Sequence, residues 1–395
     1  MNKTGGPIPF LDLITPHMEL EKEIIESVRE ALMGGRFIGG SAVEGFEREF
    51  AAYTGAKHAI GVGSGTDALR FALMAADLKE GDTVLTVPNS FIATTEAITQ
   101  AGLKIDFVDV DAKTCNMAPE KLEEYLENRC VYKNGSPVSR KTGTRVSAVI
   151  PVHLYGQMAQ MDEISEISSR SNLVVIEDAC QAHGAQYFSK KHNMWEKAGA
   201  IGFAGAFSFY PGKNLGACGE AGAVTTNSDE AADKIRMLRD HGQSKKYYHE
   251  IEGFNGRLDA IQASILKIKL RLLPAWTVSR RSRASLYNEL LSGIESVVTP
   301  YEPEWSKAVY HLYVIRAKNR GALQKSLAAV NIATALHYPV PLHLQRAYSH
   351  FGYAEGSFPS AEKAAVEILS LPMFPGLTDE QVGRVSAAIR DSISL

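Results

Sequence analysis

The chain has 395 residues, 45% of them hydrophobic, with 42 basic and 45 acidic side chains and a formal net charge of −3. That length can bury a large core and exceeds one typical compact domain, so a large unit (1–255, with an N-terminal arm) and a smaller one (256–395) are expected. The charges form no basic block, which sets nucleic acid aside as a default partner, and no apolar run reaches the roughly 18–20 residues of a membrane span.

The first ten residues carry one lysine and no apolar run, so they do not read as a secretory signal. Cys115, Cys130, Cys180 and Cys218 are irregularly spaced and form no CxxC. That pattern implies a reducing, cytoplasmic setting, with no disulfide framework and no metal site.

Strand and helix signals then alternate. Short apolar runs fall at 58–62, 83–87, 105–110, 146–152, 173–177, 204–209 and 221–225, each near Gly, Pro, Asp or Asn. Segments of helical period lie between them, at 67–76, 94–101, 119–126, 162–169 and 230–239. This predicts an α/β unit with a mostly parallel mixed sheet flanked by helices. Residues 133–144 are polar, with Gly and Pro, and read as an exposed loop. Beyond Gly256 the pattern becomes α+β: a helix from 258 to about 273 ending at Pro274, a helix at 279–291, a strand at 310–317, a helix at 323–330, and a last helix at 378–393 with Thr378 as N-cap.

Three motifs carry chemistry. Gly61-Val-Gly-Ser-Gly-Thr-Asp67 joins a strand to a helix; its free N–H groups, near Gly65, and the Thr66 hydroxyl can hold a phosphate. It is neither a Walker loop nor a dinucleotide fingerprint, and an ordinary strand–turn–helix joint is the alternative. In Val174-Val-Ile-Glu-Asp-Ala-Cys-Gln-Ala-His-Gly184, Asp178 ends an apolar strand at the sheet edge where ligands bind. Its carboxylate suits a protonated pyridine nitrogen, with a helix cap or a metal carboxylate as alternatives. Gln181 is placed to reach a cofactor's phenolic oxygen, while His183 is a weaker candidate, with a packed structural histidine as the alternative. In Phe207-Ser-Phe-Tyr-Pro-Gly-Lys-Asn-Leu-Gly216, Lys213 stands among uncharged neighbours, which favours loss of its proton and attack on an aldehyde. Ser208 can add a hydroxyl to the phosphate cup. A phosphate cup, a carboxylate and a lysine in this order are the minimum set for pyridoxal 5′-phosphate (PLP) in a fold-type I enzyme.

The chain resembles the DegT/DnrJ/EryC1/StrS sugar aminotransferases over nearly its whole length. The resemblance rests on Gly35-Arg-Phe-Ile-Gly39, Gly63-Ser-Gly-Thr-Asp-Ala-Leu69, Pro88-Asn-Ser-Phe-Ile-Ala-Thr94, Pro151-Val-His-Leu-Tyr-Gly-Gln157, Glu177-Asp-Ala-Cys-Gln-Ala-His183, Ser208-Phe-Tyr-Pro-Gly-Lys213, Gly253-Phe-Asn-Gly-Arg-Leu-Asp259 and His337-Tyr-Pro-Val-Pro-Leu-His343. It implies the PLP-dependent transferase fold of type I, with Lys213 as Schiff-base lysine and proton carrier. Asp178 would face the pyridine nitrogen, Gln181 the phenolic oxygen, and Gly65, Thr66 and Ser208 the phosphate. It further implies Phe91 stacked on the ring and Asn255 supplied by the partner of a two-fold homodimer with shared active sites. The implied reaction moves an amino group from an amino acid, with L-glutamate leaving as 2-oxoglutarate, through pyridoxamine phosphate to a nucleotide-linked keto-sugar.

The run 241–249 with 253–259 and 89–94 looks most like the branch that aminates carbon 3 of UDP-3-keto-N-acetylglucosamine or dTDP-3-keto-6-deoxyhexoses; carbon 4 is the rival. Lys245, Lys246, Tyr247, Tyr248 and Arg257 are candidates for the diphosphate or nucleotide, with a solvated basic loop as the alternative. His337 and Tyr338 are candidates for the sugar, with an X-Pro turn as the alternative. A PLP-dependent sugar dehydratase, which carries histidine in place of the lysine, and a non-catalytic PLP-fold protein are the other readings. Cys180 stands where alanine is common.

Overall fold

The structure, a computed structural model, describes residues 6–393. Seven segments build the central sheet: β1 (His58–Val62), β2 (Thr83–Thr86), β3 (Lys104–Phe107), β4 (Val146–Val149), β5 (Val174–Asp178), β6 (Ala204–Ser208) and β7 (Gly222–Thr226), in the order β1-β7-β6-β5-β4-β2-β3. From β6 to β3 every pairing is parallel, whereas β7 runs antiparallel to both neighbours, Gly222 lying opposite Val62 on one side and Ser208 on the other. Apolar runs suit such strands, because helices cover both faces of the sheet. Helices Gly65–Ala75, Ala93–Gln100, Met161–Arg170 and Asp229–Arg239 follow β1, β2, β4 and β7.

One consequence positions everything else. The segments that leave β2, β4, β5 and β6 (88–94, 150–157, 179–183 and 209–213) start from one edge of the sheet, and β1 delivers residues 63–66 to the same edge. Behind β6 an aromatic wall fixes that edge. Phe50 meets the Phe207 and Phe209 rings edge-on at 5.0 and 5.2 Å, and Phe46 meets Phe209 at 5.4 Å. Alternation along the strand then turns Ser208, between the two phenylalanines, to the opposite face.

A second apolar cluster is built around Tyr287, Tyr313, Leu327, Leu369 and Val385, with Ile8 joining it from the N-terminal arm. It packs an antiparallel sheet of Val297–Val298, Tyr313–Ala317 and Ile368–Leu371 against helices Leu273–Leu291, Arg320–Ala329 and Asp379–Ile393. Residues after 256 do not all belong to it: Ala263 and Leu266 of helix Ala260–Leu270, and Leu342, Tyr348 and Phe358, join the first cluster.

Several expectations differ in detail. The break at Pro274 is not a gap before Ser279: Pro274 lies in the first turn of helix Leu273–Leu291, where its missing N–H has no partner to lose. Residues 133–144 do not form a plain loop. Cys130–Lys133 pairs with Ser136–Ser139 across Asn134-Gly135, both at positive φ, the signature of a tight hairpin. Thr378 does cap the last helix, its Oγ1 accepting from Gln381 N (3.2 Å) while Gln381 Oε1 accepts from Thr378 N (2.9 Å).

Candidate active site

Asp178 closes β5 and is buried. Its backbone is tied to the neighbouring segment, accepting from His153 N and donating to Pro151 O, both at 3.0 Å. Its carboxylate accepts from Thr94 Oγ1 at 2.7 Å and from Cys180 N at 3.2 Å. Thr94, brought in from the segment after β2, was not singled out by itself in the sequence; only its place in the Pro88–Thr94 stretch pointed to it.

Three residues on, buried Gln181 accepts from Tyr155 N at 2.7 Å and donates Nε2 to Tyr338 Oη at 3.1 Å. Tyr338 lies 5.7 Å from the Phe91 ring, which is 54% exposed and open to a planar partner. His337 is half-buried, stacks on Phe10 at 5.6 Å, and hydrogen-bonds through Nδ1 to Ser370 Oγ at 2.8 Å. Burial, helped by the Lys213 charge, pushes its pKa down to about 4.

Lys213 sits in the loop after β6, which is closed by Ala217 N donating to Phe209 O (2.7 Å) and Lys213 N to Tyr210 O (2.8 Å). Its side chain borders a cavity of about 410 Å³ shared with Asp12, Asn214 and Arg280. Burial lowers the pKa of its ammonium, and the neighbouring Cys180 and Asp178 only partly offset this. A larger cavity of about 530 Å³, lined by Lys113, Tyr155, Tyr301 and Arg316, holds none of the predicted site residues.

The helix Gly65–Ala75 begins beside β6, with Ser64 capping it by accepting from Asp67 N at 3.0 Å. Side chains are excluded at two points here. A Cβ on Gly65 would lie 2.6 Å from Ser208 Cβ, and one on Gly222 would lie 2.2 Å from Ser64 O. The helix start, half-buried Thr66 and half-buried Ser208 are thereby held together. Glycine is needed at Gly65 for close approach, as phosphate cups require.

His183 is fully buried between Phe207 and Phe209, and its Nε2 meets Ser208 O at 2.9 Å. A carbonyl only accepts, so Nε2 carries the proton. Burial, with Lys213 nearby, drives the His183 pKa down to about 3 and keeps the ring neutral. His311 and Arg280, unremarked in the sequence, face the same region: His311 Nδ1 meets Asn214 Oδ1 at 3.2 Å, and Arg280 Nη1 donates to Tyr310 O at 3.1 Å and Met373 O at 3.0 Å.

Of the outer candidates, Arg257 bridges Val62 through its backbone, just before the Gly63–Thr66 turn, and the others lie farther along the chain surface. Lys245, Tyr247 and Tyr248 lie on an exposed hairpin, Gln243–Lys245 with Tyr248–His249, and Lys246 is in its turn. Arg257 is engaged by Asp240 Oδ1 (2.6 Å) and Asn255 Oδ1 (2.5 Å). Asn255 itself is exposed, next to Gly256, whose carbonyl accepts from Gly63 N at 2.9 Å.

The family model for DegT/DnrJ/EryC1/StrS aminotransferases matches residues 18–390. The chain belongs to the DegT/DnrJ/EryC1/StrS aminotransferase family. It is 46% identical, over 95% of each chain, to the "Pleiotropic regulatory protein" of Geobacillus stearothermophilus. It is 40% identical to the dTDP-3-amino-3,4,6-trideoxy-alpha-D-glucose transaminase of Streptomyces venezuelae, over 97% of this chain and 96% of the relative. The crystal structure of S. venezuelae DesV, in complex with a ketimine intermediate, superposes with a TM-score of 0.91 at 38% identity, covering 99% of this chain and all of that one. The fold is therefore that of the type I PLP enzymes, and the family's cofactor is PLP.

The residues in place fit that cofactor. A buried carboxylate with two hydrogen bonds, a lysine of lowered pKa and a side-chain-free helix start beside a serine match a pyridinium, an aldehyde and a phosphate in turn. Among the described residues, no helix is long and apolar enough to cross a membrane, and no group of His, Cys, Asp or Glu is placed to hold a metal ion.

Proposed function

We propose that this DegT-family aminotransferase transfers an amino group from an amino acid, L-glutamate, to carbon 3 of a nucleotide-linked 3-keto sugar. The observation that carries the reading is the gathering of Lys213, Asp178, Gln181, Thr66 and Ser208 at one edge of the sheet. The carbon-3 position is supported by the similarity to a relative named for a dTDP-3-amino sugar.

PLP supplies the electron sink for carbanion chemistry. Asp178, fixed by Thr94 and the Cys180 amide, would hold the positive charge on the pyridine nitrogen. Gln181 would offer Nε2 to the ring's phenolic oxygen, and the Gly65 and Thr66 amides with the Thr66 and Ser208 hydroxyls would hold the phosphate. Phe91 would cover one ring face. Lys213 Nζ would hold the cofactor at its aldehyde, and the same amine would carry the proton at the donor's α-carbon; its lowered pKa favours the free amine that both roles require. His337 and Tyr338 face the sugar, and Lys245, Tyr247 and Arg257 meet its nucleotide diphosphate. Asn255 completes the phosphate site of the other subunit in a homodimer, and the enzyme works in the cytoplasm. Lysine at 213 weighs against the dehydratase reading, which needs histidine there.

The deciding experiment starts from the pyridoxamine form of the purified protein. UDP- and dTDP-linked 3-keto and 4-keto sugars are added one at a time, and the visible absorbance of the PLP form is followed. Its return with a 3-keto sugar alone is the expected result and names the nucleotide. Return only with a 4-keto sugar moves the reaction to carbon 4. Silence with all of them, despite normal cofactor binding, removes the proposed substrates.

A further inference from the structure

The cofactor site rests on a fully buried carboxylate that has no role in the chemistry above. Glu177 and His153 are both completely buried. Glu177 Oε1 accepts from Ile201 N (2.8 Å) and Gly202 N (2.7 Å), and Oε2 accepts from Gly199 N (2.8 Å) and His153 Nε2 (2.9 Å). On the other side of the ring, Ala159 N donates to His153 Nδ1 at 3.2 Å. A ring nitrogen that accepts from an amide carries no proton, so the proton is on Nε2 and the imidazole is neutral. Burial opposes the charge on Glu177, but His153 and the Gly202 and Gly199 amides outweigh it and hold the carboxyl below its ordinary range.

This pair anchors the segment that runs beside Asp178. His153 N donates to Asp178 O and Asp178 N to Pro151 O. Two residues on, Tyr155 stands at φ 60° and aims its N–H at Gln181 Oε1, while its hydroxyl reaches His337 O. An N–H only donates, so the amide atom it meets must be oxygen. That fixes the side-chain amide of Gln181 without ambiguity. Nε2 is left on the other side with two hydrogens, one of them directed to Tyr338. Were the amide reversed, a lone pair would face the oxygen of the cofactor ring.

We propose that Glu177, acting through His153 and the Tyr155 amide, is a positioning residue that locks Gln181 as a donor toward the ring oxygen and so sets the protonation balance of the bound cofactor. The inference rests on the PLP reading of the site. Replacing Glu177 by Gln puts an –NH2 against two of its four donors, whichever way it turns, and loosens the 151–159 segment that aims Tyr155.

The test uses full-length, PLP-loaded protein as wild type, Glu177→Gln, Gln181→Leu and the double variant. The visible band of each is titrated from neutral to alkaline pH, and thermal midpoints are recorded. Tyr155, Asp178, Cys180, His183, Lys213, Arg280, His311, His337 and Tyr338, the titratable groups facing the same pocket, stay unchanged throughout. The expected result is a shift of the band's midpoint in Glu177→Gln in the same direction as in Gln181→Leu, with no further shift in the double variant. A Glu177→Gln protein that melts earlier but titrates like wild type makes Glu177 merely structural and overturns the proposal, as does a shift that adds to that of Gln181→Leu. If Glu177→Gln does not fold, His153→Leu, which loses both ring hydrogen bonds, takes its place, and His153→Gln, which retains a donor and an acceptor, should restore the wild-type midpoint. A wild-type chain that gains no visible band with PLP is a different failure: it removes the cofactor reading and the proposal with it.

Discussion

Asp178 and Lys245 are both expected to touch ligand, yet the chain holds them in opposite ways. Asp178 is buried at a strand end, its backbone N–H and C=O both bonded to the Pro151–His153 segment and its carboxylate held by Thr94 and Cys180. Lys245 stands on an exposed two-strand hairpin, and the contact seen for its ammonium is the face of Tyr248, 5.4 Å away. The inner wall is preorganised by one chain, as electrostatic work on a cofactor requires. The outer hairpin, which under the proposed function meets the nucleotide diphosphate, is not held in this way: its Lys245, Tyr247 and Tyr248 side chains are exposed. Changes on the inner wall should therefore act on the chemistry, and changes on the hairpin on substrate affinity.

Lys213→Ala is the harshest test of the inner wall. Under the proposed function it removes both the group that would bind the aldehyde and the proton carrier, so turnover should fall by at least about 10²–10⁴-fold, with no visible band in the presence of PLP and a thermal midpoint close to wild type. A surviving visible band would take Lys213 out of its role. Asp178→Asn comes next. Truncating one partner of a buried, hydrogen-bonded charge pair costs about 2–5 kcal/mol, so PLP should dissociate faster and kcat should drop, while far-ultraviolet dichroism stays unchanged. Wild-type rates would dismiss the carboxylate. Thr94→Val keeps the volume and removes a hydrogen bond to a charged group, a loss of about 1.5–3 kcal/mol. It should reproduce the Asp178→Asn defects in weaker form, and a double variant no worse than Asp178→Asn would show that Thr94 acts through Asp178.

Acid should destabilise the inner wall. The pKa values of His183 and His337 lie at about 3 and about 4, depressed by burial and by Lys213, and His311 is pushed down for the same reasons. Groups depressed in the folded state bind more protons when unfolded. Their contribution to stability is whole above the unfolded pKa of about 6.5 and is lost as pH falls through and below it. Thermal midpoints should hold steady above neutrality and drop progressively on acidification, with a shallower slope in His183→Phe. An equal slope in that variant would mean that other groups carry the acid sensitivity.

The same division decided what the sequence could reveal. The inner wall was legible because its parts are local: Gly-Ser-Gly-Thr at a helix start, Asp178 at the end of an apolar run, and one lysine in a Gly-bordered loop each declare their chemistry within a few residues. Residues whose meaning is a distant contact were not. Thr94 matters because β2 and β5 end at the same edge, and Arg280 because it reaches carbonyls of Tyr310 and Met373, 30 and 93 positions away. His183 shows the middle case. Its position beside the cofactor motif was visible, but only the Phe207 and Phe209 rings and the Ser208 carbonyl reveal it as a packed, neutral ring. The strand Ile368–Leu371 escaped notice because three apolar residues and a serine after a helix have no period to distinguish them.

The smallest expected effect is the sharpest probe of the comparison. Tyr247 is 79% exposed and Lys245 is exposed too, and among the described residues no buried group hydrogen-bonds to either side chain. Lys245→Ala with Tyr247→Ala should therefore leave the thermal midpoint, the visible band and the half-reaction with the amino donor at their wild-type values. If the hairpin meets the nucleotide diphosphate, only the KM for the keto-sugar rises, by a few-fold, and the rise shrinks as salt is added, because exposed charges are screened over about 8 Å at physiological ionic strength. Loss of kcat with KM unchanged would place the hairpin in the chemistry and erase the division. An unchanged KM at low salt would return these residues to an ordinary solvated loop. The donor half-reaction supplies the internal control: under the proposed function it uses the inner wall alone, so a change there would mean that the two regions are not separable.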